Sequence, residues 1–249
     1  MSFAISAVQE QACDRFEREE GRLHFRAGWE RTVFIHYEVD ADALQREIPF
    51  ELDLRNGRAY VSLVAFTLRD LRLPIGPPMT THGFLNVRTY VRRGERRAIY
   101  FLAEWLPHPL CVLLGPRLYG LPYRLGRLDY RHRHEEGLLR GSVEGREGAL
   151  CFRASINPRA RFEPCVPGSL DEFVVERYTA LTRRGATDRF FNVWHPPWRL
   201  VPIEVAVEED SLVASTGPWF RAARVIRAHY SPGFKEVRMG RPRRLGGDP

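Results

Sequence analysis

Residues 58–68 read RAYVSLVAFTL, a strand-length run that is apolar on both of its faces. Such a strand needs cover on both sides, so it belongs inside a layered or closed sheet and not on a solvated surface. It follows Asn56-Gly57, a strong hairpin signal. Before that turn, RTVFIHYEV (31–39) alternates, with Val33, Ile35, Tyr37 and Val39 facing one way. Asp40 is placed to cap a short helix through Ile48, which Pro49 stops. The same pattern predicts strands at 84–93, 98–105, 122–132, 138–145, 149–156, 190–195, 200–208 and 222–230. A Pro/Gly loop, LPIGPPMTTHG, precedes the first of these, and turns fall at Arg93-Gly94-Glu95-Arg96 and Glu135-Glu136-Gly137. A short helix is expected at 109–119. A longer one is expected at 169–184, where Ser169 and Glu172 form a capping box and Leu170, Phe173, Val174, Arg177, Tyr178 and Leu181 form the stripe. Many strands and few, short helices predict a mostly β (α+β) fold: a single-domain closed antiparallel β-barrel or cone with a few capping helices. The expected boundaries are an N-terminal extension over 1–28, the domain over 29–238, and a basic disordered tail over 239–249.

A chain of 249 residues buries roughly three quarters of its unfolded surface and needs no disulfide or metal to fold. With 44% hydrophobic and 28% charged residues, wholesale disorder is excluded. The long uncharged stretch 73–87 is broken by prolines and glycines, so no transmembrane helix is expected. The N-terminus lacks a basic n-region and an apolar core, which reads as cytoplasmic. Cysteines 13, 111, 151 and 165 have no C-x-x-C spacing and read as reduced thiols. The formal charge of +7 comes from 37 arginines and a single lysine, Lys235. Acidic residues interleave with the arginines (EREEGR, RRGER, RHRHEE), which is the pattern of a solvated surface and not of a segregated nucleic-acid stripe.

Three places invite chemistry. In FLNVRTYV (84–91), period 2 puts Asn86, Arg88 and Tyr90 on one face. That face is either wet or turned into a cavity, where Arg88 would grip a carboxylate or enolate with two parallel hydrogen bonds. Glu104 lies in the apolar run IYFLAEWL, either at a wet end or desolvated with a raised pKa suited to acid–base work. His195, in VWHPPW, reads as a rigid pocket wall or an aromatic core corner, together with Trp198. His132-x-His134 puts two imidazoles on one strand face, but the arginine flanks and missing third ligand argue against a metal. No G-x-S-x-G, P-loop, Rossmann or H-E-x-x-H pattern occurs.

The segment GPRLYGLPYRLG (115–126) resembles the G-R-E…G-[YF]-P-K-K-[LI]-[AG] segment of acetoacetate decarboxylases. Together with FLNVRTYV, the early FIHYEVD, IPFELDL and GRAYVSLVAF, and the late VWHPPW, the pattern over 29–238 resembles the DUF2071 (YqjF-like) family, of the acetoacetate decarboxylase-like superfamily. The resemblance implies that fold. It also implies that the decarboxylase lysines fall on Tyr123 and Arg124, neither of which can form a Schiff base at neutral pH. The acidic residue expected near the middle strand is absent from 84–91 as well.

Three functions follow as expectations. The first is an enzyme acting on a carbonyl or carboxylate compound without a Schiff base. Arg88 anchors the anion with Asn86, Tyr90, Arg117, His195 and Trp198 around it, Tyr123 and Glu104 move protons, and Arg124 stabilises phenolate or oxyanion charge. The second is a ligand-binding module of the same fold without catalysis, and the third, a remote one, is an arginine-rich nucleic-acid or partner-binding protein. The expected partner is a small anionic or carbonyl-containing molecule, without nucleic acid, membrane, metal or cofactor. The oligomeric state is open, a homo-oligomer included.

Overall fold

The computed structural model describes residues 7–20, 25–72 and 81–246, except for the side chains of 7–10 and 13. Its strands are β1 (Phe25–Val39), β2 (Glu51–Leu52), β3 (Ala59–Arg72), β4 (His82–Arg93), β5 (Arg96–Leu106), β6 (Tyr123–Arg133), β7 (Leu138–Gly145), β8 (Gly148–Ser155), β9 (Glu163–Pro164), β10 (Thr179–Arg184), β11 (Thr187–Trp194), β12 (Arg199–Pro202), β13 (Glu204–Glu209), β14 (Arg224–Met239) and β15 (Arg243–Arg244). The helices are α1 (Ala7–Glu20), α2 (Ala41–Gln45), α3 (Pro109–Leu118), α4 (Leu170–Val175) and α5 (Ser211–Ala214). None is long and apolar enough to cross a membrane. Most of the expected Pro/Gly loop, residues 73–80, lies outside the described residues.

The chain is mostly β, as expected. Strand pairing closes on itself through β1, β3, β4, β5, β10, β11 and β14, a ring of seven strands. The expectation of purely antiparallel pairing needs correction. β5 pairs in parallel with β10 at Ile99–Tyr100 and with β6 at Glu104–Leu106, so its outer edge serves two partners. Parallel neighbours need a crossover, and α3 supplies it between β5 and β6.

From β6 a second antiparallel layer, β6-β7-β8-β13, folds over the outside of the ring. Its Leu139, Val143, Leu150 and Phe152 share one core with Val33, Ile35, Val61, Leu63, Leu85 and Val87 of β1, β3 and β4. The opposite faces of the same strands build a second core inside the ring, with Phe34, Tyr60, Val64, Phe66, Phe84 and Tyr90. That is why the 58–68 run is apolar on both faces. Burying each large apolar side chain contributes about 1.5–3 kcal/mol, so both layers are needed.

Local signals act where they were expected. Asp40 accepts from the Ala43 amide at 2.7 Å, and Ser169 from the Glu172 amide at 3.1 Å. The helix expected over 169–184, however, ends at Val175, and Thr179–Arg184 is strand β10. Tyr178, Thr179 and Thr182 favour strand, and β11 offers them a partner along the whole run. The expected strand 200–208 is split at Ile203, with β12 on β14 and β13 on β8. The expected strand 222–230 runs on to Met239 through Pro232-Gly233. There Gly233, at φ +84°, leaves room for the Trp29 carbonyl that a Cβ would overlap. The region expected as a disordered tail places Arg243–Arg244 beside β11, and Arg243 meets Glu19 and Glu20 of α1.

Candidate functional site

The ring interior is where the polar residues of β4 point. Asn86 and Arg88 are buried on the same face as Phe84 and Tyr90, while Leu85, Val87 and Val91 face the outer layer. Arg88 Nη2 donates to the Val174 carbonyl at 3.1 Å, and its guanidinium lies 6.0 Å from the Phe34 ring centre. Arg88 Nε and Asn86 Oδ1 are buried with no hydrogen-bond partner.

A bulge brings Glu104 into the same space. β5 carries one extra residue, Leu102, between Phe101 opposite Arg88 and Ala103 opposite Val87. An extra residue reverses which side chains face inward. Ile99 and Phe101 face the interior before the bulge, and Glu104 and Leu106 after it, while Ala103 and Trp105 turn to the outer core. Glu104 sits directly opposite Asn86 and is 3% exposed, with Oε2 unpartnered. Burial pushes its carboxyl well above the usual range.

Tyr123 pairs with Glu104 across the β5–β6 junction, and its ring lies 5.9 Å from that of Phe84. Burial, then the neighbouring Glu104, pushes its phenol well up. Helix α3 closes over it at Gly115, where a Cβ would overlap the Tyr123 ring. Arg124 does not join this group. It alternates to the outer face, over the Trp105 ring at 5.3 Å, and is 3.9 Å from Glu147. Arg117 does not join it either: it folds back on the Leu113 carbonyl at 2.6 Å and lines an open groove of 610 Å³ with Leu113, Leu125 and Arg184.

His195 and Trp198 form an aromatic corner beside the interior. The imidazole stacks on Tyr178 at 4.7 Å and on Phe234 at 5.4 Å, and burial lowers its pKa to about 4. Trp198 meets Phe34 edge-on at 4.9 Å, and its amide donates to Glu176 at 2.8 Å.

His132 and His134 do not share a strand face. His132 donates to the Arg31 carbonyl at 2.6 Å, whereas His134 opens a turn beyond β6 and meets the Tyr230 hydroxyl at 2.9 Å. Among the described residues, no group of three or more His, Cys, Asp or Glu is placed to hold a metal. The only lysine, Lys235, is exposed on β14.

Sequence reasoning missed a polar file beside Arg88. His36 of β1 lies opposite Ser62 of β3, which lies opposite Arg88. His36 Nδ1 is 2.6 Å from Ser62 Oγ, and Ser62 Oγ is 2.5 Å from the Tyr90 hydroxyl. His229 Nδ1 lies 3.2 Å from His36 Nε2, and Asp171 lies 3.4 Å beyond His229. The available signal was alternation in 31–39, which puts His36 on the face opposite Val33, Ile35, Tyr37 and Val39.

Several known proteins resemble this chain. YqjF of Bacillus subtilis, described as an uncharacterized protein, is 27% identical over 214 residues, covering 82% of this chain and 88% of its own. Acetoacetate decarboxylase from Legionella pneumophila superposes with a TM-score of 0.63 at 12% identity, covering 99% of this chain and 98% of its own. An acetoacetate decarboxylase-like enzyme from Sphingomonas wittichii gives 0.59 at 16% identity, covering 90% and 94%. The enduracididine biosynthesis enzyme MppR, in complex with pyruvate, gives 0.57 at 12% identity, covering 90% of each chain. At these identities the superpositions establish a shared acetoacetate decarboxylase-like fold. The model of the DUF2071 family, whose members are described as uncharacterized conserved proteins, matches residues 26–235, and the chain belongs to that family.

Proposed function

We propose that the ring interior binds a small molecule bearing a carbonyl or carboxylate, and that the protein acts on it by acid–base chemistry without a lysine Schiff base. The observation that carries this reading is one buried face on which Asn86 Oδ1, Arg88 Nε and Glu104 Oε2 all lack partners. Native proteins rarely leave three such groups together, and a planar oxygen-bearing ligand would meet the donor and let a protonated Glu104 donate. Arg88 anchors the anion, and Glu104 and Tyr123 stand next to each other as proton carriers, both kept neutral by burial. The pyruvate complex of MppR, of the same fold, lends support to the ligand class. The exposed position of Lys235 supports chemistry without an imine.

The test is a thermal-shift and calorimetric screen of small keto acids, hydroxy acids and their amides. A keto or hydroxy acid is expected to raise the melting temperature of the wild type. Arg88→Lys, which keeps the charge but loses the fork, is expected to weaken binding about tenfold or more. Unchanged affinity in that variant refutes the anchor. Loss of the lysines also fits a chain that holds its ligand without turning it over, and product analysis of the same mixtures separates the two.

A further inference from the structure

Five side chains lead from the ring interior to the protein surface in one file, the first four joined by hydrogen bonds and the last, Asp171, 3.4 Å from His229 Nε2, which has no hydrogen-bond partner at rest. They are Tyr90, Ser62, His36, His229 and Asp171, and they come from β4, β3, β1, β14 and α4. The first four are at most 1% exposed. Asp171 has 26% of its side chain exposed and is also held by Arg227 at 2.7 Å.

Counting protons shows what the file can do. With both rings neutral, one arrangement puts a single proton in every link. Tyr90 donates to Ser62, Ser62 to His36 Nδ1 and His36 Nε2 to His229 Nδ1, while His229 Nε2 holds its proton toward the Asp171 carboxylate 3.4 Å away. The phenol has a second acceptor, the Val174 carbonyl at 2.7 Å, which Arg88 also reaches. If Tyr90 turns to Val174, then Ser62 must donate to Tyr90, His36 from Nδ1, and His229 from Nδ1. His229 still faces a carboxylate with Nε2, so it keeps that proton too and becomes an imidazolium. The two arrangements differ by one proton.

We propose that these residues are a proton wire, with Tyr90 the base of the ring interior and Asp171 the outlet. A proton leaves a C–H or O–H bond of the bound molecule, whose electron pair stays behind as an enolate or oxyanion near Arg88. That proton bonds to the Tyr90 oxygen, and the phenol's own proton passes to Ser62. The Ser62 proton passes to His36 Nδ1, and the His36 Nε2 proton passes to His229. The charge then rests on His229 against Asp171, from which solvent takes the proton. The bound molecule in this step rests on the ligand reading above, whereas the wire itself does not.

The surroundings suit the direction. Burial, then His229 and Arg88, hold His36 well below the usual imidazole range, so the proton is not trapped midway. Burial opposes ionisation of Asp171, but the neighbouring His229 and the bond from Arg227 outweigh it and hold the carboxyl well below its usual value. The charged groups facing the histidine pair are Arg88 from β4, Asp171 from α4 and Arg227 from β14.

Nitrogen-15 NMR of ligand-free protein labelled in its imidazoles tests this. With both rings neutral, His36 and His229 are each expected to carry their proton on Nε2. As the pH is lowered and the pair takes up one proton, His36 is expected to move its own proton from Nε2 to Nδ1 in the same step while staying neutral. Ser62→Ala removes the acceptor that move needs and is expected to abolish the coupled switch, and Ser62→Thr to keep it. A His36 that holds one tautomer while the pair takes up its proton overturns the wire, as does a switch that survives Ser62→Ala. The wild-type titration decides alone if a variant fails to fold. With no ligand present, failure here leaves the ligand reading standing, and failed keto-acid binding with an intact switch overturns only that reading.

Discussion

Glu104→Gln is expected to make the protein more resistant to urea as pH rises. Glu104 is 3% exposed, and one of its oxygens has no partner, so its charged form has lost water without compensation. Its folded pKa is therefore raised above the unfolded value. Below the unfolded pKa, about 4.3 for a glutamate, both states hold the proton and burial carries no ionisation penalty. Above it the unfolded chain releases a proton that the folded chain keeps, and stability falls by up to about 1.4 kcal/mol per pH unit until the folded group titrates. Glutamine does not ionise. Its extra N–H group, if left unsatisfied, costs about 1–3 kcal/mol, but that offset is the same at every pH. The difference in unfolding free energy between variant and wild type should be flat under acid conditions and then climb in favour of glutamine. Urea titrations followed by tryptophan fluorescence at a series of pH values measure it. Parallel curves for the two proteins would refute the claim that Glu104 is desolvated.

Asp53→Ala strands the Arg177 guanidinium, whose side chain is 2% exposed and which bonds Asp53 at 2.7 Å. Breaking such a buried pair costs about 3–5 kcal/mol, read as a drop in urea midpoint; a loss no larger than that of a surface mutation counts against it. Gly115→Ala drives a methyl into the Tyr123 ring and should cost about 1–3 kcal/mol. Adding Tyr123→Leu should return part of that loss, as a double-mutant cycle would register. Incubation with pyruvate and borohydride should leave the intact mass of the native protein unchanged apart from slow labelling of exposed amines, because the one lysine is exposed to solvent on β14. Rapid stoichiometric labelling of Lys235 would show that it reaches the interior.

What the sequence determined by itself is local. Alternation in 84–91 put Asn86, Arg88 and Tyr90 on one face, and the double apolar pattern of 58–68 demanded two layers, because the pleat has a period of two wherever it runs. The caps at Asp40 and Ser169 were readable because capping partners lie within one turn. Tertiary structure decided the rest. Helix α4 ends at Val175 because β11 claims the residues after it, a competition that no window around 169–184 contains. The bulge at Leu102 turns Glu104 inward, and pairing with the split edge of β5 sends Tyr123 inward and Arg124 out. The file from Tyr90 to Asp171 joins positions as far as 193 residues apart, His36 and His229 among them. Such contacts form only when the ring closes, since strand register, not sequence spacing, sets which distant side chains share one buried face.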